Sequence, residues 1–342
     1  MKASIPASAG GPEWITPFDA TTFAATGNPI FIGIALANLD SVNAAKVTCT
    51  ARDPEGKIIA NAIPIPVLNP GGHWSGYQFP AIAGLRGTID CTSSTQFAML
   101  ALRYLGYSAF SSLPVVAPGA SLGSSIPHFA AGGTYVTGFF VMNTAATAAN
   151  FSIAFRDDSR APVSLAITGV GAVSTLSDTV PAHGLRYYEA SSTSGHILSG
   201  SAAITGDLGV AVQSLFRNHA ADNNFYEASV PTGSGSLEFE LPFDGTTFAA
   251  TGDSTYTGIA VANLGGVGAA VSCTARDQGG NVIPNAVPVP ALDPGGHWAD
   301  YQFPALTGHQ GTIDCRSNTP NTAIGLRFLG DFAFSSPPVV TK

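Results

Sequence analysis

The segment Phe18-Asp-Ala-Thr-Thr-Phe-Ala-Ala-Thr-Gly27 occurs twice in this chain, the second time as Phe243-Asp-Gly-Thr-Thr-Phe-Ala-Ala-Thr-Gly252. From these segments the match extends to Phe110-Ser-Ser112 and Phe334-Ser-Ser336, with roughly 60% identity over about one hundred aligned positions. An internal repeat of this size indicates that each copy folds as one structural unit.

A weaker third copy lies between the two strong ones. Its segments follow the order of the matching segments in the outer copies: Tyr135-Val-Thr-Gly138, Ala148-Ala-Asn-Phe-Ser-Ile-Ala-Phe-Arg-Asp157 and Val212-Gln-Ser-Leu-Phe-Arg217. Stretches rich in Pro, Gly and Ser join the copies, as is usual for linkers. The sequence therefore predicts three domains in an A–B–A′ arrangement, with bounds at 1–117, 118–232 and 233–342. We refer to them as the first, middle and third units.

Each unit has the pattern of β-strands separated by turns. Val47, Cys49 and Ala51 alternate with polar residues, which is the period of a half-buried strand. Asp53-Pro-Glu-Gly56 follows as a turn, because Pro suits its second position and Gly its last. No window has the apolar spacing and caps of a helix. We expect an all-β fold with three tandem β-sandwiches; a barrel remains an alternative for each unit.

The composition excludes several classes of protein. Of 342 residues 45% are apolar, so the chain is not disordered through high charge and low hydrophobicity. Only 11% are charged, less than half of the ~25% that is usual for soluble domains. A net charge of −8 with 14 Lys plus Arg argues against nucleic acid and anionic membranes as partners. No apolar run reaches the ~18 residues of a membrane-spanning helix.

The four cysteines form two pairs at equivalent positions of the outer units, Cys49 with Cys91 and Cys273 with Cys315. Zinc sites need closely spaced ligand pairs such as C-x-x-C, which do not occur here. We therefore expect one disulfide in each outer unit. Closing a loop of ~40 residues stabilises a fold by roughly 4 kcal/mol on the chain-entropy estimate. Disulfides form in oxidising compartments, so the protein is expected to be secreted and extracellular or held at the cell surface.

The middle unit has no cysteine. Its alignment with the outer units places Ile153 at the position of Cys49 and Ile204 at that of Cys91. Two apolar side chains thus replace two sulfurs together. This substitution is expected for a buried structural pair and not for a catalytic one.

A His-Trp pair recurs after a Pro-Gly-Gly turn, as His73-Trp74 and His297-Trp298. In a structural interpretation the indole covers one end of the sandwich and the imidazole caps the turn. In a functional interpretation these four residues are possible ligand contacts, with a tryptophan exposed on a loop stacking on a sugar ring. An open zinc site needs three protein ligands, and no further ligand repeats nearby.

Signals of catalysis are weak. Gly119-Ala-Ser-Leu-Gly123 matches a hydrolase nucleophile motif, but that motif needs a preceding strand and a following helix, and here it lies in a linker. No pair of carboxylates with the spacing of a glycosidase site can be chosen. We expect no catalytic residues, no metal and no cofactor.

Two sets of charged residues recur in all three units. Asp53, Asp157 and Asp277 each follow an Arg and open a turn, where a carboxylate can accept backbone N–H bonds. Three arginines end equivalent strands, and we expect each to pair with a turn carboxylate: Arg103, Arg217 and Arg327.

The surface must be poor in charge. The chain has four Lys, none of them in the middle unit, which instead has more aromatic residues than alternation explains, namely Phe139, Phe140, Tyr187 and Tyr188. Short uncharged side chains lose little entropy and no charge solvation when they are buried between subunits. Such a surface favours self-association. A strand donated by Met1–Pro12 to a neighbouring copy is a second route.

The repeated pattern resembles the immunoglobulin-like and related β-sandwich modules of secreted bacterial surface proteins. It runs through Gly33-Ile-Ala-Leu-Ala-Asn38, the Cys-x-Ala-Arg-Asp turn, Pro-Gly-Gly-His, Gly-Thr-Ile-Asp-Cys91 and Phe110-Ser-Ser112. The resemblance implies an exported, non-catalytic module. We expect a structural protein that assembles with itself into a filament, sheath or surface layer. The alternative is a carbohydrate-binding or adhesion module that presents loop aromatics to a cell-surface glycan.

Overall fold

The computed structural model of the chain describes residues 10–106, 109–119, 123–191, 196–220, 224–301, 303–330 and 333–342. These residues form twenty-five β-strands and two short 3-10 helices, and they contain no α-helix. None of the helices among them is long and apolar enough to cross a membrane. The all-β prediction is confirmed, with strands arranged in sandwich-like layers.

The first unit is one hydrogen-bonded sheet folded into two layers. Its elements are β1 (Gly11–Asp19), β2 (Ile30–Asn38), β3 (Val47–Arg52), β4 (Ile58–Ile63), β5 (His73–Tyr77), a 3-10 helix (Pro80–Ile82), β6 (Arg86–Leu105) and β7 (Ala109–Leu113). The first half of β6 pairs with β1 and β3, and its second half pairs with β2 and β7. Because β6 belongs to both layers, it joins them, and the core lies between the two sets.

The third unit repeats this arrangement. Its elements are β18 (Ser236–Asp244), β19 (Thr255–Asn263), β20 (Val271–Asp277), β21 (Val282–Ile283), β22 (His297–Asp300), a 3-10 helix (Pro304–Leu306), β23 (Gln310–Leu329), β24 (Ala333–Ser335) and β25 (Val340–Thr341). The long strand β23 corresponds to β6: its first half pairs with β18 and β20, and its second half pairs with β19 and β24.

The middle unit is a sandwich of two separate sheets. Its strands are β8 (Ser125–Ala131), β9 (Tyr135–Asn143), β10 (Ala149–Asp157), β11 (Leu165–Ile167), β12 (Gly171–Val173), β13 (Thr175–Val180), β14 (Leu185–Ser191), β15 (Leu198–Gly206), β16 (Val210–His219) and β17 (Phe225–Val230). The sheets have the orders β13-β10-β15-β8 and β12-β11-β14-β9-β16-β17. The short break between β15 and β16 falls where the outer units have one continuous strand.

The six-stranded sheet of the middle unit is buried on both faces. Phe139 and Val141 belong to the core of the middle unit, whereas Phe140 and Met142 belong to a cluster that includes the first unit's core. On β14, Tyr188 belongs to the core of the middle unit, and Tyr187 packs against the cluster that includes the first unit's core. Both alternating sets of side chains are therefore apolar, which accounts for the excess of aromatic residues in this part of the sequence.

A buried asparagine closes the same strand in all three units. The Nδ2 of Asn38 donates to the backbone carbonyls of Asn43, Leu68 and Asn69. Asn143 and Asn263 each donate to three carbonyls in the equivalent loops. Since a buried amide needs partners, each asparagine fixes two loops against the end of its strand. In the sequence, the signal for this contact is an Asn that follows Ala or Met at the end of the same strand in each unit.

Both expected disulfides are present. Cys49 and Cys91 are directly opposite each other on β3 and β6, and Cys273 and Cys315 are opposite on β20 and β23. In the middle unit Ile153 on β10 faces Ile204 on β15 in the same register. The isoleucine pair thus occupies the position that the disulfide holds in the outer units.

The three Arg-Asp turns have the expected geometry. Asp53 Oδ1 accepts the backbone N–H groups of Glu55 and Lys57, each at 2.9 Å. Asp157 and Asp277 accept equivalent backbone bonds in their own units.

Each sheet takes all its strands from one of the three units. Between the middle and third units, β17 ends at Val230 and β18 begins at Ser236. The domain bounds remain a prediction. Two earlier features lie largely outside the described residues: positions 120–122 of the Gly119–Gly123 motif, and positions 1–9 of the proposed donor segment.

The register of the middle unit predicts that Ile153→Cys with Ile204→Cys forms a third disulfide. The two positions face each other as the natural cysteine pairs do. Relative to Ile153→Ser with Ile204→Ser, the oxidised variant should gain about 4 kcal/mol of stability by loop closure. Thiol titration of the unfolded, unreduced protein should find no free thiol, and urea unfolding measures the gain. Two titratable thiols in the double variant would contradict the register.

Candidate functional site

An ion cluster lies buried at the contact between the first and middle units, which we call the first seam. Arg103, near the end of β6, donates from Nη2 to Asp19 at 3.0 Å and from Nη1 to Glu227 on β17 at 2.5 Å. Ser111 donates its hydroxyl to the same Glu227 at 2.7 Å. Arg217 on β16 lies 3.3 Å from Glu227. Two carboxylates and two guanidinium groups thus join strands of both units.

The cluster is ionised despite its burial. Burial raises the pKa of Glu227, but the charges of Arg103 and Arg217 outweigh this effect and hold the pKa below its ordinary value. For Asp19 burial likewise raises the pKa, and Arg103 and Arg86 lower it further than burial raises it. Removing one partner would leave a buried charge without compensation, which is the costly case for internal ion pairs.

The third unit has the same Arg–Asp pair without the cover. Arg327 on β23 donates from Nε to Asp244 at 2.8 Å, whereas Arg103 donates to Asp19 from Nη2 in the first unit. The side chains of Arg327 and Asp244 are 21% and 14% exposed, against 1% and 0% for Arg103 and Asp19. No equivalent of Glu227 reaches Arg327 among the described residues. We call this surface of the third unit the open end.

The expected pairing of the strand-end arginines is correct for the outer units. Asp19 and Asp244 each open a turn by accepting the N–H and hydroxyl of a threonine two residues on. Arg217 differs, since its partners Glu227 and Glu189 lie on strands.

A chain of side chains crosses the contact between the middle and third units, the second seam. His297 on β22 lies 2.7 Å through Nδ1 from Asp158, and its Nε2 lies 3.2 Å from Nδ1 of His128 on β8. The imidazole rings stack with their centroids 5.2 Å apart. The neighbouring charges are the exposed Arg160–Asp293 pair at 3.5 Å. Burial, and then the proximity of His297, lower the pKa of His128 to about 3.

The two His-Trp pairs do not share one environment. His297 is buried at the second seam and bonds across it instead of capping a turn, whereas His73 is exposed. Trp74 and Trp298 lie on strands β5 and β22, half-buried, and pack near the rings of Phe79 and Phe303. The functional interpretation places an exposed tryptophan on a loop, whereas both indoles lie on strands.

The outer units contact the middle unit through different surfaces. The outward face of β19 and β23 in the third unit packs against the middle unit, and its side chains join the middle unit's core: Ala260, Ile324, Leu326 and Phe334. The registers Ala35–Leu100 and Gly33–Leu102 in the first unit match Ala260–Ile324 and Gly258–Leu326 in the third. In the first unit the same face is only partly buried: Phe31 is 7% exposed, whereas Tyr77 is 64% exposed. We call it the free face; it consists of Phe31, Ala35, Tyr77, Leu100, Leu102, Tyr104 and Phe110.

Both copies of this face carry the same aromatic stack. Phe31 and Tyr104 stack with ring centroids 4.7 Å apart, as Tyr256 and Phe328 do at 4.9 Å. A glycine lies beneath the ring in each copy, because a Cβ on Gly33 would lie 2.9 Å from the Tyr104 ring. Gly258 has the same relation to Phe328 at 3.0 Å.

A cavity of about 410 Å³ lies at the second seam, between the aromatic stack of the third unit and β8, β15 and β16 of the middle unit. Its floor is buried and includes Phe216, Ile324 and Phe334, whereas Tyr301 and Ile197 at its rim are about half exposed. We call it the seam cavity.

One carboxyl group with a raised pKa lies away from this cavity. Burial and the neighbouring charge of Glu13 raise the pKa of Asp90 on β6 to about 6. Its counterpart in the third unit, Asp314, has Lys342 at 3.6 Å instead. No group of three potential metal-ligating His, Cys, Asp or Glu side chains occurs in the part of the chain that the structure describes.

The ion cluster predicts unequal costs for two equivalent substitutions. Arg103→Met should lower the free energy of unfolding by about 3–5 kcal/mol, because Asp19 and Glu227 lose their buried counter-charge. Arg327→Met should cost at most about 1 kcal/mol, because Asp244 is partly exposed. Urea unfolding measures both. Equal losses of stability in the two variants would mean that burial of the Arg–Asp pair by the middle unit does not determine the loss.

The second seam predicts loss of stability in acid. An unfolded histidine binds a proton near pH 6.5, whereas His128 resists protonation down to about pH 3. The contribution of His128 to stability is therefore full above pH 6.5 and falls by up to about 1.4 kcal/mol per pH unit as the pH decreases below it, while Asp90, with its pKa raised to about 6, acts in the opposite direction. Thermal unfolding between pH 7 and 4 measures this slope. His128→Phe should reduce the slope, and His73→Phe, at the exposed counterpart of His297, serves as the control; equal slopes in all three proteins would refute it.

No described protein family matches this sequence, and no curated protein is detectably similar to it. Among solved structures, a crystal structure of the major pilin subunit of Bacillus cereus aligns over 87% of this chain and 91% of its own, with 8% identity and a TM-score of 0.14. Similarity at this level does not indicate a common fold, so neither fold nor function is inferred from it.

Proposed function

We propose that this protein is a non-catalytic extracellular structural protein whose copies associate into a filament, sheath or surface layer. The observation that supports this most directly is the partial exposure of the free face on the first unit, where all members except Phe31 are partly or fully exposed. The same face of the third unit is buried, with Ile324 1% and Leu326 7% exposed. A surface that binds another β-sandwich within the chain is therefore repeated on the first unit, where most of its side chains remain accessible to solvent.

The side chains of the free face suit a protein partner. All seven are apolar or aromatic, and none is charged. Covering them removes apolar surface from water, and the free face itself contributes no charge that must lose its hydration. Contiguous apolar surface on a soluble protein commonly marks a site of protein–protein contact.

A second copy of the chain is the partner we propose. Within the part of the chain that the structure describes, two partly exposed surfaces of different kinds have counterparts that are buried in another unit. They are the free face on the first unit and the open end on the third. Contacts between unlike surfaces are heterologous, and unless their rotation closes a ring they propagate into open polymers. Few charges and no Lys in the middle unit fit permanent contact between copies. Two disulfides fit an extracellular location.

A carbohydrate-binding role through Trp74 and Trp298 is the weaker alternative. Both indoles pack on strands beside phenylalanine rings, which leaves only part of each ring for a sugar. No other observation favours this role for the His-Trp pairs.

Leu102→Glu tests the proposal, because it places a charge in the centre of the free face without touching either seam. Concentrated wild-type protein should form regular polymers in negative-stain micrographs, whereas the variant should sediment as a 34.8-kDa monomer with an unchanged melting temperature. Leu208→Glu, on an exposed turn of the middle unit, is the matched control and should assemble like the wild type. Wild-type protein that stays monomeric at high concentration would refute self-assembly.

A further inference from the structure

The seam cavity has the size and lining of a small-molecule site. Its volume of about 410 Å³ lies within the range of ligand pockets. Six aromatic rings line it, two from the middle unit and four from the third: Tyr135, Phe216, Tyr256, Tyr301, Phe328 and Phe334. Tyr135 stacks on Phe216 with ring centroids 5.1 Å apart, and Phe216 contacts Phe334 at 5.2 Å, so the rings form one continuous wall across the seam.

A buried polar atom in this wall has no partner. Asn218 on β16 is only 7% exposed and lines the cavity, and its Oδ1 accepts no hydrogen bond. Leaving a buried amide oxygen unpaired costs about 1–3 kcal/mol, so native structures seldom retain one without a use. A ligand that donates a hydrogen bond from the cavity would remove this cost.

The remaining polar groups of the lining also favour a donor with positive charge. Asp300 contributes a carboxylate, whose Oδ1 also accepts the backbone N–H of Tyr301 at 2.7 Å, and no Lys or Arg is among the described residues of the lining. In the tautomers in which Asp158 accepts the Nδ1–H of His297, the Nε2 of His297 accepts the Nδ1–H of His128. The Nε2 lone pair of His128, a residue of the lining, is then an acceptor as well.

We propose that the seam cavity binds a small organic cation, an alkylammonium or quaternary ammonium compound. The negative faces of the aromatic rings and the Asp300 carboxylate attract the charge, and Asn218 accepts a hydrogen bond from the ligand's donor. An anion would be disfavoured, because it would face hydrogen-bond acceptors and the Asp300 carboxylate. Because the wall is built from two units, the bound cation also holds the third unit against the middle unit.

Choline and its uncharged isostere 3,3-dimethylbutan-1-ol test this in the full chain by calorimetric titration. Choline should bind about tenfold more tightly than the alcohol, which is the size of effect expected for cation–π contacts out of water. Choline should also raise the melting temperature, because it binds only the docked state. Equal affinity for the two compounds, or no heat with about 10 mM choline, would overturn the proposal.

Tyr301→Ala and Tyr77→Ala form a matched pair for the same titration. Tyr301 is on the rim of the cavity and Tyr77 is its counterpart on the free face, and both are more than half exposed, so neither change should unfold the protein. Tyr301→Ala should weaken choline binding about fivefold or more, whereas Tyr77→Ala should leave it unchanged. Equal effects of the two variants, or binding of methyl glucoside in place of choline, would refute the assignment. Because Tyr77 belongs to the free face, loss of polymers in Tyr77→Ala would concern self-assembly alone.

Discussion

The burial of one sheet on both of its faces organises this molecule. The six-stranded sheet of the middle unit has apolar side chains in both alternating sets, such as Phe139 and Phe140. A sheet of this kind cannot be left with one face in water without exposing several aromatic rings. The first unit supplies the second cover, so the middle unit and the first unit depend on one another.

The most deeply buried charges lie where this cover is made. The chain has few charged residues, yet Arg103, Arg217, Asp19 and Glu227 lie together under the first seam. Such a cluster adds little net stability over apolar packing, because desolvation offsets much of the attraction between the charges. Its value lies in specificity: Glu227 meets Arg103 only when the first unit sits in one orientation on the sheet. The second seam instead has stacked histidines and aromatic rings at its centre, with the Arg160–Asp293 ion pair exposed nearby.

The two seams explain why nearly identical units leave different surfaces open. The first unit packs its Arg–Asp surface against the middle unit and leaves its aromatic face partly exposed. The third unit packs its aromatic face against the middle unit and leaves its Arg–Asp surface partly exposed. The aromatic stack therefore exists twice, once open on the free face and once closed into the seam cavity. Equivalent aromatic residues thus support both proposals. On the first unit they form the surface proposed for contact between copies, and on the third unit they line the proposed cation site.

Strand pattern and local pairing were readable from the residues alone. Alternation around Cys49 predicted a strand, the repeat predicted the equivalence of the outer units, and Ile153 with Ile204 marked the place of the missing disulfide. These features depend on neighbours along a strand or directly across it. The surfaces used for docking did not follow from the sequence, since the first and third units are too alike for composition to distinguish their roles. Arg103 meets Glu227 across 124 positions of sequence, and His297 meets Asp158 across 139. Only the packing of whole units brings such residues together, so the seams, the free face and the cavity were decided by tertiary structure.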